Sequence, residues 1–218
     1  MFSARYTAAF RSVPRASHLA GHLQAARSST STMASKLTAT STLPLPNSSL
    51  TIPRLGFGVY QSPEKVCENS CTTAFQAGYR HIDTAQFYAN EAQVGAAVRN
   101  SGLKRSDVYV TTKVLSASGS VEKSYQKCVE SVNKLDEGSG GQDGYVDLFL
   151  IHSPNAGKAA REEMWNALLR LHKEGKAKAI GVSNFGIAHI EGLKGLGEVF
   201  PPHVNQIEVC LNGKPTAS

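Results

Sequence analysis

The chain has 218 residues, 41% hydrophobic and 18% charged, which fits one large α/β domain and excludes a disordered chain. Its net charge of +6 comes from the front: residues 1–63 hold Arg5, Arg11, Arg15, Arg27, Lys36 and Arg54 and no acid, while the remaining 17 Lys and Arg face all 17 Asp and Glu. A neutral body offers no basic face for nucleic acid, and no apolar run reaches the roughly 18–20 residues of a membrane span.

Residues 1–34 contain Arg, are rich in Ser and Ala and lack acids, the composition of a mitochondrial transit peptide; the competing reading starts the protein at Met33. The expected location is mitochondrial or cytoplasmic accordingly, and the segment is set aside as a targeting or disordered extension. Residues 36–54 predict a β-hairpin turning at Pro46-Asn47-Ser48-Ser49. Arg54–Val59 predicts the first strand. Its Gly56-Phe57-Gly58 lacks the third glycine of a dinucleotide fingerprint.

Ser62-Pro63-Glu64 predicts a helix start, with Ser62 as N-cap, and Gly78 its end. Cys67, Cys71 and Ala74 fall on that helix's buried face, and no second ligand pair accompanies the two cysteines, so neither a disulfide nor a metal site is expected of Cys67, Cys71, Cys128 and Cys210. Arg80-His81-Ile82 is a short strand closed by Asp83, and Tyr88 follows in a turn before a helix carrying Val94, Ala97 and Val98. Val108–Val114 is β-branched and predicts a strand. Val121, Tyr125, Cys128, Val132 and Leu135 form the stripe of an amphipathic helix.

The loop Gly138-Ser139-Gly140-Gly141 leads into a strand, so it lacks the strand-to-helix setting of a phosphate cradle. Val146–His152 is nearly all apolar, as in a parallel strand buried on both faces. A helix with Met164, Leu168 and Leu171 on one face ends near Gly175. Strand Ala179–Val182, helix Ile187–Leu196 and strand Val204–Val209 complete the pattern. Such alternation implies a mainly parallel sheet, doubly wound or closed into a barrel.

Polar residues recur at the strand ends: Asp83, Lys113, His152, Ser183-Asn184 and, within the last strand, Gln206. Taken singly, Lys113 reads as a solvated strand end, His152 as a core histidine and Asn184 as a helix cap. Five at successive strands read as a cluster, because a barrel gathers its C-terminal strand ends on one face. A lysine there needs a partner, and Asp83 is the nearest candidate. A charged Lys113 beside Tyr88 favours the phenolate and makes the phenol a readier proton donor, while His152 can bond a carbonyl oxygen.

With HIDTAQFYANE, VYVTTKV, DLFLIHSP, KAIGVSNF and VNQIEV in this order over residues 36–209, the chain resembles the aldo-keto reductases, of a fungal type. The resemblance implies a (β/α)8 TIM barrel of the NADP-dependent oxidoreductase type, here six of eight units plus the N-terminal hairpin. It also implies a catalytic tetrad of Asp83, Tyr88, Lys113 and His152, with Tyr88 as general acid. Val59, Tyr60, Asp83, Ser183, Asn184 and Gln206 correspond to cofactor contacts, and Tyr60 and His152 to substrate contacts.

The implied reaction is reduction of an aldehyde or ketone by NADPH, with NADH the other nicotinamide donor, in a full-length form that is monomeric. The alternative is a non-catalytic relative that binds nucleotide or a partner, or an inactive, truncated or misannotated fragment. After Val209 the family pattern stops, and residues 210–218 read as an aberrant tail. The expectation is therefore that strands seven and eight are missing, that two strand edges stay unpaired, and that cofactor is held weakly or not at all.

Overall fold

The computed structural model describes residues 6–8, 37–138 and 143–209. In chain order these form β1 (Tyr6–Ala8), the hairpin β2 (Thr42–Pro44) and β3 (Thr51–Pro53), β4 (Phe57–Gly58), α1 (Glu64–Gln76), β5 (His81–Asp83), α2 (Glu91–Asn100), β6 (Tyr109–Val114), α3 (Val121–Leu135), β7 (Val146–Ile151), α4 (Lys158–Lys173), β8 (Ala177–Ser183), α5 (Ile187–Glu191) and β9 (Asn205–Ile207). The sheet order is β1-β9-β8-β7-β6-β5-β4, and neighbours from β4 to β9 are parallel. Strands that follow one another in space as they do in sequence belong to a barrel; a doubly wound sheet reverses its order at a switch point. The curled sheet with its helices is a partial (β/α)8 barrel.

Strand alternation sorts the side chains into two layers. Phe149 and Ile151 of β7 join Ile180 and Val182 of β8 in the larger apolar cluster, where the helices supply Cys67, Cys71, Val94, Cys128, Val132, Trp165 and Leu168. Leu148, Leu150 and Ala179 point the other way and meet Leu45 and Ile52 of the hairpin and Val204. The hairpin thus plugs the barrel floor. All six residues of β7 are buried, which is why its sequence is nearly all apolar.

On the inner face the register continues toward the opposite end. Asp83 pairs with Thr111, Thr111 with Leu148, Lys113 with Leu150 and Leu150 with Gly181. An apolar floor therefore gives way to polar residues at the C-terminal strand ends. At Gly181 an added Cβ would lie 2.4 Å from the Val204 carbonyl oxygen and 2.9 Å from Leu150 Cδ2. That inner position requires glycine.

Several expectations are corrected. Strand one is confined to Phe57–Gly58. The N-cap of α1 is Pro63, whose carbonyl accepts from Val66 and Cys67, and no side chain caps this end. Pro63 itself has extended backbone, so the helix begins one residue later than the Ser-Pro signal implies. Val121, counted in the apolar stripe of α3, is 38% exposed at the first helical position; Tyr125, Cys128, Val132 and Leu135 are buried. α5 ends at Glu191, and turns follow through Leu196. The second unpaired edge is covered, since Tyr6–Ala8 pairs antiparallel with β9. The rest of residues 1–34, the glycine loop at 139–142 and the tail 210–218 lie outside the described residues.

Candidate active site

β5 and β6 bring an acid and a base together at the barrel mouth. Lys113 is fully buried, and its Nζ donates to Asp83 Oδ1 at 2.6 Å and to the Thr84 carbonyl at 2.8 Å. The other carboxylate oxygen, Asp83 Oδ2, accepts from Gln206 Nε2 at 2.9 Å, across 123 positions of sequence. A buried ammonium is tolerable only with such partners. The pair also ties the first strands of the arc to the last.

Tyr88 ends a 3-10 turn, Gln86–Tyr88, which Ala89 closes in the left-handed region at φ 54°. The Tyr88 ring is half-buried between two groups: Lys113 Nζ lies 5.1 Å from its centroid and the His152 ring 5.5 Å away, edge to face. His152 follows β7 directly and is fixed by its main chain, which donates to the Val114 carbonyl at 2.8 Å. Tyr60 covers the outer side of Tyr88, with ring centroids 5.0 Å apart, and is half exposed. The four residues of the expected tetrad lie side by side at the C-terminal strand ends.

Ser183, Asn184 and Gln206 meet at the ends of β8 and β9. Ser183 Oγ and the Asn184 main chain both donate to the Gln206 carbonyl, each at 2.9 Å. Asn184 takes the left-handed conformation at φ 59°, which asparagine tolerates, and its Oδ1 accepts from the Glu208 main chain at 3.0 Å. Val59 differs from the others: its side chain is 1% exposed and packs in the outer apolar cluster. Its backbone faces the site, with its N–H donating to the Asp83 carbonyl at 3.0 Å.

Residues that the sequence reading passed over complete the site. Phe87, 61% exposed, lies edge-on 6.3 Å from His152 and walls the mouth. Thr84 supplies the second anchor of Lys113. Asn90 is fully buried and bonds Thr84, Val59 and Ser62. Glu91 is a buried acid that accepts from the Thr112 hydroxyl at 2.5 Å and from Ser131 Oγ at 3.1 Å; burial pushes its carboxyl above the usual carboxylate range against those two bonds. The available signal was polar: Asn-Glu at the very start of an Ala/Val helix, where both side chains turn inward.

The polar set suits one end of a nicotinamide cofactor. A primary carboxamide needs both donors and acceptors, and Ser183, Asn184 and Gln206 present hydroxyl and amide groups of both kinds at neighbouring strand ends. Among the described residues, no group of three His, Cys, Asp or Glu is placed to hold a metal ion.

Known proteins show the same arrangement of sequence and fold. The Aldo/keto reductase family profile matches residues 55–215. An uncharacterized oxidoreductase of Schizosaccharomyces pombe is 41% identical over 75% of this chain and 57% of its own length. A methylglyoxal reductase of Salmonella typhi is 41% identical over 73% of this chain and 58% of its own. Among solved structures, an aldo/keto reductase from Brucella melitensis superposes with TM-score 0.68 at 40% identity, over 76% of this chain and 62% of that one.

A Bombyx mori aldo-keto reductase in complex with NADP superposes with TM-score 0.64 at 31% identity, over 78% of this chain and 58% of that one. The chain thus spans somewhat over half the length of the curated relatives it matches. Its sequential parallel strands, the polar ring at their C-terminal ends and a profile match over most of the described residues agree. The chain belongs to the aldo/keto reductase family.

Proposed function

We propose that the protein reduces an aldehyde or ketone to an alcohol, with Tyr88 as proton donor and NADPH as hydride source. The observation that carries this reading is the fully buried Lys113, held by Asp83 and Thr84 with its ammonium 5.1 Å from the Tyr88 ring. Burying an ammonium costs free energy that an apolar residue of similar size would not. Its charge acts on the phenol: as a proton leaves Tyr88, the ammonium stabilises the developing phenolate, and the buried setting strengthens that attraction.

Asp83 keeps Lys113 charged and oriented, and Gln206 holds Asp83 in turn. His152, on the other side of the ring, hydrogen-bonds the substrate carbonyl oxygen and orients it toward Tyr88. Tyr60 and Phe87 give the mouth aromatic walls for a small carbonyl compound. Reduced nicotinamide supplies hydride to the carbonyl carbon when bound. Ser183, Asn184 and Gln206 would hold its carboxamide. The choice of NADPH rests on the family and on the NADP complex of the Bombyx mori relative.

The test is to titrate the 218-residue chain with NADPH by tryptophan fluorescence and assay it with methylglyoxal. Saturable binding with turnover is expected, and Tyr88→Phe should lower turnover by at least about 100-fold, the usual scale of a general acid, while cofactor affinity stays within about twofold. Turnover retained by Tyr88→Phe would overturn the assignment of the donor. Binding without turnover in the unaltered chain would favour the non-catalytic reading.

A further inference from the structure

We infer that Asn90 is a positioning residue, which sets the wall formed by Tyr60 against Tyr88 by clamping the turn that carries Tyr60. Residues 59–62 form a four-residue turn closed by the Ser62 N–H donating to the Val59 carbonyl at 3.1 Å. Its third residue, Gln61, is forced to φ 60°. For a residue with a Cβ that conformation is strained, so something must hold the turn.

The side-chain amide of Asn90 does so from the far side of the pocket wall. Its Nδ2 donates to the carbonyls at both ends of the turn, Val59 at 2.9 Å and Ser62 at 3.2 Å. Both amide hydrogens are thereby used. Its Oδ1 accepts from Thr84 Oγ1 at 2.7 Å, and the carbonyl of that same Thr84 anchors Lys113 Nζ. One buried amide therefore connects the turn beneath Tyr60 with the residue that seats the lysine. Tyr88, two residues before Asn90, lies between the two ends of this connection, within 5.0 Å of the Tyr60 ring and 5.1 Å of Lys113 Nζ.

Other roles fit less well. Asn90 is the N-cap residue of α2, but its side chain makes no cap bond with that helix. A purely local helix signal would have pointed the amide at the first turn. Here all of it is spent on the site's walls.

The inference rests on the proposed function for its catalytic meaning, so the test uses a readout that needs no turnover. The whole chain is labelled with 3-fluorotyrosine, and the resonances of Tyr60 and Tyr88 are assigned by single Tyr→Phe changes. Asn90→Asp keeps size and the acceptor for Thr84 but removes both N–H groups. The resonances of Tyr60 and Tyr88 should move while those of the other five tyrosines hold, and kcat for methylglyoxal should fall between about 10- and 100-fold, the scale of a misplaced reacting group.

Unmoved Tyr60 and Tyr88 resonances would overturn the inference, and so would a shift of all seven, which marks a general structural role. If Asn90→Asp does not fold, Thr84→Val removes the other bond of the clamp. It should move the same two resonances and Thr84→Ser should return them; no movement in Thr84→Val would again overturn the idea. Absence of turnover in the unaltered chain would refute the proposed function and leave the fluorine result standing.

Discussion

Acid should destabilise this fold in part through His81. His81 points into the barrel one layer below Asp83, where its Nε2 meets Thr111 Oγ1 at 2.9 Å and the backbone of Gly56 approaches so closely that a Cβ there would lie 2.8 Å from Nδ1. Burial pushes the imidazole down to about 4, outweighing the attraction of Asp83; Lys113 adds to the depression. The native protein therefore keeps His81 neutral where the unfolded chain, near pH 6.5, takes up a proton. Between about pH 6.5 and 4 the unfolded state holds more protons, so stability is complete above that window and is lost as pH falls through it.

At about 1.4 kcal/mol per pH unit, the gap between 6.5 and about 4 amounts to roughly 3 kcal/mol, of which about 2–3 kcal/mol is lost by pH 4.5. The assay is urea unfolding followed by the fluorescence of Trp165, the chain's single tryptophan, which is fully buried. His81→Gln keeps a polar group toward Thr111 and cannot take the proton. Comparing it with the unaltered chain at pH 7 and 4.5 cancels the carboxylates common to both. The advantage of histidine over glutamine should shrink by about 2–3 kcal/mol at the lower pH. A change below about 0.5 kcal/mol would refute the reasoning, because neutral burial of His81 would then carry no linkage.

Three further outcomes follow from packing and charge. Lys113→Met leaves Asp83 buried beside Gln206 without its ammonium and should cost about 3–5 kcal/mol in urea unfolding; a loss below about 1 kcal/mol would contradict the pairing at 2.6 Å. Gly95→Ala sets a Cβ 2.0 Å from the Lys134 carbonyl oxygen, so α2 must move away from α3 at a cost of about 1–3 kcal/mol or more. Gly58→Ala, whose Cβ would meet nothing within 4 Å, should change the melting temperature by less than about 2 °C; equal losses at the two positions would sink the contact argument.

Where the sequence carried a strong period or a strong break, the fold was readable. The stripe of α3 and the apolar run of β7 are long, and their bounds matched closely, because tertiary packing there reinforces local preference. Two of the short strands matched less well. β4 and β9 are paired for two and three residues, fewer than their flanking apolar residues suggest, because pairing depends on the neighbour's register and curl rather than on the strand's own composition.

That Asp83, Lys113, Tyr88 and His152 come together was legible because charged and aromatic side chains at successive strand ends are costly without a purpose. Asn90 and Thr84 were not. Their importance lies in bonds to main-chain carbonyls of Val59 and Ser62 and to one another, and a backbone carbonyl leaves no mark in the sequence. Nor did any letter of the first 34 residues announce that Tyr6–Ala8 would pair with Asn205–Ile207; strand addition at an edge uses backbone groups that every sequence possesses.

The hairpin under the barrel has a consequence for proton traffic. Leu45 and Ile52, 2% and 1% exposed, seal the floor against Leu148 and Leu150, and Lys113 above them has no contact with solvent of its own. On the proposed chemistry, the proton that Tyr88 gives away must return through the half-exposed faces of Tyr88 and His152, on the side where substrate enters. Resupply and substrate exchange then share one doorway. A carbonyl compound seated there postpones reprotonation until its alcohol departs.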